Sequence, residues 1–301
     1  MIRPSRIAAA VLVAASLSAS FSAPALAEVL PVPSQEGWNA ARQTVTLKSG
    51  QTIGFVEMGD TAGAPLILIH GYTDNSRSWS LLAPELIAGR HIYAIDLRGH
   101  GKSSAPECCY TPLDLASDLD GFMQAKDIAK ADVVGHSLGS MTGAVFAALH
   151  PEKVDRLVLI SSALAVPQAS ADWLWENVPT LPETIDPNSQ FMLDWYWNPT
   201  PVAVDFIDRE RAESAATPRQ TWQGVLEGLS ATDWSPLAAR IKAPVLIIWG
   251  AQDGLFDAAT QDRLKAVLPQ AKHETYAENG HNMFWEIPET VGPVIAGFLA
   301  D

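Results

Sequence analysis

The stretch ADVVGHSLGSMTGAVFAAL, residues 131–149, decides the fold. Ala131 to Val134 is a mostly apolar run that reads as a strand, and Leu138 to Leu149 reads as a helix of small and apolar residues. Between them Gly135-His136-Ser137-Leu138-Gly139 fits G-x-S-x-G. That pattern alone arises by chance in roughly a tenth of chains this long. Between a strand and a helix it acquires a physical reason. A nucleophilic serine sits on a strained turn, and glycines leave room for the chain to close around it. The turn lifts Ser137 Oγ above the sheet and points a helix N-terminus at a developing anion.

Outward from this elbow, strands and helices alternate. Gln43–Leu47 and Thr52–Glu57 read as strands joined by a turn at Ser49-Gly50. Pro65–Ile69 is a continuous apolar run, as for a strand covered on both faces. His91–Ile95, Val154–Ile160, Ala243–Trp249 and His273–Tyr276 complete a set of eight strands. Helical spacing is expected over Ser78–Ala88, over the segment opened by Thr111-Pro112, over Ala259–Val267 and over Pro288–Leu299. The order implies an α/β fold, a mostly parallel sheet with helices on both faces.

Leu164–Arg240 breaks the alternation. These 77 residues hold six of the ten tryptophans, eight prolines, and four basic against eleven acidic side chains. That is too long for a loop, so a helical cap inserted after the sixth strand is expected. Its division leaves core segments at 28–163 and 241–301. Trp173, Trp175, Trp195, Trp197 and Trp222 are candidates for an aromatic pocket wall; ordinary core of a small subdomain is the alternative reading.

A serine hydroxyl needs a base. Among seven histidines, His281 in Asn279-Gly280-His281 lies between the last strand and the last helix. Asp253 follows the strand ending at Trp249 and is placed to orient it, which gives the chain order Ser137, Asp253, His281. The oxyanion needs two donors. The N–H of Leu138 is one candidate, and the N–H of Tyr72, in the turn His70-Gly71-Tyr72, is the other. His136 flanks the nucleophile inside the elbow, His70 and His100 sit in turns, His91, His150 and His273 read as structural or solvated, and no pair has metal-ligand spacing. Neither a metal nor an organic cofactor is expected.

Composition bounds the partners. The 301 residues carry 20 basic and 34 acidic side chains, a net −14, which disfavours nucleic acid and anionic membrane. Residues 1–27 read as a secretory signal peptide: Arg3 and Arg6, an uncharged stretch from Ile7 to Phe21, then Ala25-Leu26-Ala27 at the cleavage site. Cleavage leaves 18 basic and 34 acidic residues, a net −16. A periplasmic or secreted destination is expected, with no stable membrane insertion afterwards; an uncleaved anchor is the duller reading. The only cysteines are the neighbours Cys108-Cys109, either two thiols or a bond between adjacent residues, which an oxidising compartment favours.

Taken together, His70-Gly71-Tyr72, Asp96-Leu97-Arg98-Gly99-His100-Gly101-Lys102-Ser103, the elbow at Ser137, Gly250–Asp253 and Gly280-His281 resemble the α/β-hydrolase fold, in its capped group of esterases, lactonases, carbon–carbon bond hydrolases and cofactor-free haloperoxidases. The resemblance implies that Asp96–Ser103 is a structural loop, so Asp96 carries no catalytic role. Some members take their acid from the end of the sixth strand; Ser161-Ser162 stand there, which supports Asp253. The serine at the elbow disfavours dehalogenases and epoxide hydrolases, which use aspartate. The loop after Ser103 is implied to border the pocket mouth. The expected activity is hydrolysis of an ester or lactone of an apolar or aromatic small molecule. Carbon–carbon bond hydrolysis, perhydrolysis and a non-catalytic binding role stand as alternatives, and oligomeric state is left open.

Overall fold

A computed structural model describes residues 27–301. The expected signal peptide, apart from Ala27, lies outside the described residues. The strands are β1 (Val29–Leu30), β2 (Gln43–Thr46), β3 (Thr52–Asp60), β4 (Ala64–Ile69), β5 (Arg90–Ile95), β6 (Ala131–His136), β7 (Val154–Ile160), β8 (Val245–Gly250) and β9 (Lys272–Tyr276). They form one nine-stranded sheet in the order β1-β3-β5-β4-β6-β7-β8-β9, with β2 also paired to β3. Pairing is antiparallel around β3 and parallel from β5 through β9. The eight expected strands are present, and β1 adds a ninth at the edge. Two residues are too short to leave a periodicity in sequence.

The short helices α1 (Trp38–Ala41) and α2 (Ala83–Leu86) precede α3 (Pro112–Ala125) and α4 (Leu138–Leu149). Thr111 and Asp114 form a capping box at the start of α3, and Pro112 fills the first helical turn, where its missing N–H costs nothing. α4 packs on β6 and β7, and α3 packs on α4. The helix expected over Ser78–Ala88 is instead a 3₁₀ turn at Ser76–Trp79 and the separate α2. Pro84 donates no N–H, so it opens a new helix and does not extend the old one.

Between β7 and β8 the chain runs through α5 (Gln168–Asn177), α6 (Gln190–Trp195), α7 (Val204–Ala215) and α8 (Arg219–Ser230). Trp234 closes the base of this segment: its N–H donates to Leu164 O at 3.1 Å and its Nε1–H to Ala163 O at 2.8 Å. α9 (Ala258–Val267), α10 (Met283–Glu286) and α11 (Pro288–Ala300) follow. No described helix is long and apolar enough to cross a membrane. The parallel strands β4, β6, β8 and β9 all end on the same side, so the loops after them converge, as in open α/β sheets generally.

Candidate active site

Ser137 sits at φ 51° and ψ −117°, a left-handed conformation that a side chain rarely adopts. Its surroundings explain the flanking glycines. A Cβ on Gly135 would lie 2.3 Å from Gly139 O, and one on Gly139 would lie 2.1 Å from Ile69 O. Both distances are far inside van der Waals contact, so only glycine lets β6 turn into α4 against β4.

His281 and Asp253 meet beside this elbow. His281 Nδ1 lies 2.8 Å from Asp253 Oδ2, while Asp253 Oδ1 accepts from the amides of Leu255 and Phe256 at 2.8 and 3.0 Å. Three bonds therefore hold the acid in place. The backbone of His281 is held as well: its carbonyl accepts from Ser161 Oγ–H at 2.7 Å and from His136 Nε2–H at 3.1 Å. Glu286 braces the same loop, accepting from Gly280 N–H and Asn279 Nδ2–H. With its Nδ1–H donated to Asp253, His281 leaves Nε2 free to serve as a base.

Ser137 and His281 line one cavity of about 440 Å³. Tyr72 lies in its wall too, and Leu138 supplies the first amide of α4, which has no intrahelical acceptor. Gly71 is required here, because a Cβ on it would lie 2.8 Å from His136 Nδ1.

The turn after β4 is fixed by two histidines that the sequence reading left as turn residues. His70 Nδ1–H donates to Gly71 O and its Nε2 accepts from Leu97 N–H. His100 Nδ1–H donates to Arg98 O and its Nε2 accepts from Thr73 N–H. Burial holds both imidazoles neutral, His100 down to about 4. Asp96 accepts from the amides of Ser76 and Lys102 and stays outside the cavity.

The cap tryptophans divide. Trp173, Trp195 and Trp197 line the cavity. Trp175 does not: it is 43% exposed and donates to Ser230 Oγ on the outer surface. Trp222 does not either. It is fully buried behind the wall, packed on Tyr72 and Trp195, because its position on α8 turns it inward. The loop holding Cys108 and Cys109 also lies away from the cavity lining. The two are exposed and disulfide-bonded to each other, and the adjoining Tyr110 fits against Gly224 and Gly228 of α8.

Several lining residues escaped the sequence reading. Asp74, Tyr196, Asn282 and Trp285 face the cavity. Trp195 Nε1–H donates to Thr73 Oγ1 at 3.1 Å and Tyr196 O–H to Asp74 Oδ1 at 2.8 Å, so two successive cap residues grip two successive residues of the turn after β4. Burial pushes Asp74 up to about 7, with Tyr196 and His281 working against the rise.

Lipase 1 of Psychrobacter immobilis is 29% identical over 250 residues, covering 79% of this chain and 78% of that protein. A 2-hydroxy-6-oxononadienedioate/2-hydroxy-6-oxononatrienedioate hydrolase of Paraburkholderia xenovorans is 25% identical over 250 residues, covering 78% of this chain and 86% of its own. The crystal structure of a hydrolase from Pseudomonas aeruginosa superimposes with a TM-score of 0.78 at 25% identity, covering 86% of this chain and 98% of that one. The family described as alpha/beta hydrolase fold matches residues 64–288, three quarters of the sequence, and the chain belongs to that family.

Proposed function

We propose that the protein is an exported serine hydrolase that cleaves a carboxylic ester or lactone of an apolar or aromatic small molecule through an acyl-enzyme. The observation that carries this reading is the 2.8 Å bond between His281 Nδ1 and Asp253 Oδ2, with His281 and Ser137 in one cavity. Ser137 Oγ attacks the carbonyl carbon while His281 Nε2 takes its proton. Asp253 holds the tautomer and stabilises the imidazolium. The amides of Tyr72 and Leu138 receive the oxyanion. His281 then protonates the leaving alcohol, and water attacks the acyl-enzyme by the same route in reverse.

Carbon–carbon bond hydrolysis is the second reading, favoured by the Paraburkholderia xenovorans relative. The substrate in that relative's name is a dioate. The cavity here has no Lys or Arg in its lining among the described residues, so a dianion would meet no counter-charge.

Fluorophosphonate labelling tests the nucleophile. The wild-type chain should label on Ser137, and Ser137→Ala should not. Activity on p-nitrophenyl esters and lactones, with none on diketones, is the expected profile. Unlabelled wild-type protein, or a Ser137→Ala variant with near-full esterase activity, would sink the proposal.

A further inference from the structure

We propose that this cavity recognises a positively charged group, an ammonium carried on an apolar or aromatic body, next to the bond to be cleaved. The proposal rests on the serine-hydrolase reading for its chemistry and on Asp74 for its selectivity.

Asp74 is only 5% exposed, yet it lines the cavity. A carboxylate buried this deeply is expected to have a cationic partner within the protein. None faces it. The two nearby guanidiniums, Arg42 and Arg77, are both engaged by Glu213. Asp74 Oδ1 receives the hydroxyl of Tyr196, and Oδ2 faces His136 Nδ1 across 3.9 Å, too far for a hydrogen bond. Nor can His136 act as the counter-ion. Burial holds it well below its ordinary range, its Nε2–H is spent on His281 O, and Nδ1 is unpartnered. Asp74 is thus a buried acid that lines the cavity without a Lys or Arg partner among the described residues.

The rest of the wall suits a cation. Tyr72, Trp173, Trp195, Tyr196, Trp197 and Trp285 contribute six aromatic side chains, Asp194 adds a second carboxylate at the exposed rim, and no described lining residue is Lys or Arg. Aromatic faces attract cations through their quadrupoles, most strongly where water is excluded. Glu210 of α7, fully buried within the cap, carries two unpartnered oxygens, and burial together with Asp74 pushes it well above its ordinary range. The segment between β7 and β8 is strongly acidic, which raises the local concentration of cations. Above pH 7 Asp74 is ionised and the preference should sharpen, with Tyr196, His136, His281 and Glu210 the titratable groups around it.

The test compares choline with its neutral isostere 3,3-dimethylbutan-1-ol, titrated at pH 8 into the folded chain and followed by tryptophan fluorescence. Choline should bind about tenfold more tightly or better, and Asp74→Asn should bring the ratio near one. Equal or tighter binding of the isostere by the wild type overturns the proposal, and so does a choline preference that Asp74→Asn leaves intact. A second arm compares butyrylthiocholine with S-(3,3-dimethylbutyl) thiobutyrate by kcat/KM. Turnover of both with the neutral thioester preferred refutes the cation reading and spares the hydrolase reading. A choline preference without turnover of either thioester supports the cation site and refutes thioester hydrolysis by it.

Discussion

Asp253 Oδ2 accepts from His281 Nδ1 at 2.8 Å while Asp253 Oδ1 is held by the amides of Leu255 and Phe256. In the proposed mechanism Asp253 orients His281 from a loop held by these hydrogen bonds. Asp253→Asn keeps the shape but presents an amide, whose NH₂ can favour the wrong imidazole tautomer. The expected outcome is a fall in kcat of about 10⁴ with a much smaller change in KM. Steady-state kinetics on a p-nitrophenyl ester checks it, and a loss smaller than tenfold would mean that Asp253 does not orient the base.

The elbow stores strain at Ser137. Ser137 holds φ at 51°, which costs a non-glycine residue about 1–2 kcal/mol. Ser137→Gly should therefore be more stable than Ser137→Ala by roughly 1 kcal/mol, with both inactive. Urea denaturation of the two variants gives the difference directly. Ser137→Gly proving the weaker of the two would show that the turn is not strained.

Two helical glycines should behave oppositely according to the space they have. A Cβ on Gly139 would meet Ile69 O at 2.1 Å, whereas one on Gly297 of α11 meets nothing within 4 Å. Gly139→Ala should cost at least about 3 kcal/mol or prevent folding. Gly297→Ala should gain about 0.5–1 kcal/mol from helix propensity. Similar melting temperatures for the two would contradict the tight approach of β4 to α4.

Chemistry and chain order coincide at Ser137, Asp253 and His281. All three follow strand ends, and the glycines around Ser137 have a reason visible without coordinates. Asp74 was missed because aspartate is an ordinary turn residue, and nothing local marks it as buried under a cap. The tryptophans failed differently. Trp173 and Trp175 are two residues apart on α5, yet one lines the cavity and the other lies on the surface. Composition reports how many aromatics a segment holds, not which face each one takes. Ser78 and Trp79 of the 3₁₀ turn were absorbed into an expected helix because Trp79, Leu82 and Leu86 together mimic helical spacing.

That division of the tryptophans predicts three separate outcomes. Trp222→Ala empties a fully buried site behind Tyr72 and should cost about 3–5 kcal/mol. Trp175→Ala, largely solvated, should change stability by less than about 1 kcal/mol. Trp197→Ala, on the cavity rim and 64% exposed, should raise KM while leaving the melting temperature nearly unchanged. Thermal denaturation together with kcat and KM separates the three. A stability loss at Trp175 equal to that at Trp222 would contradict the packing described.

Asp74 gives the chain an unusual dependence of stability on pH. Its folded-state value, near 7, stands well above that of an unfolded aspartate. Below about pH 4 the carboxyl is protonated in both states and costs nothing. Between pH 4 and pH 7 the unfolded chain releases the proton while the folded chain keeps it. Folding stability from this group therefore falls as pH rises, by up to about 4 kcal/mol at 1.36 kcal/mol per unit. Asp74→Asn cannot ionise, so it should be nearly neutral at pH 4.5 and distinctly stabilising at pH 8. Glu210, raised in the same way and sensing Asp74, should relax toward its ordinary range in that variant. Urea denaturation at the two pH values measures the effect. Equal stability increments at both would place the Asp74 titration outside this window, and a variant destabilised at pH 8 would mean that the ionised carboxylate is paired in the folded chain.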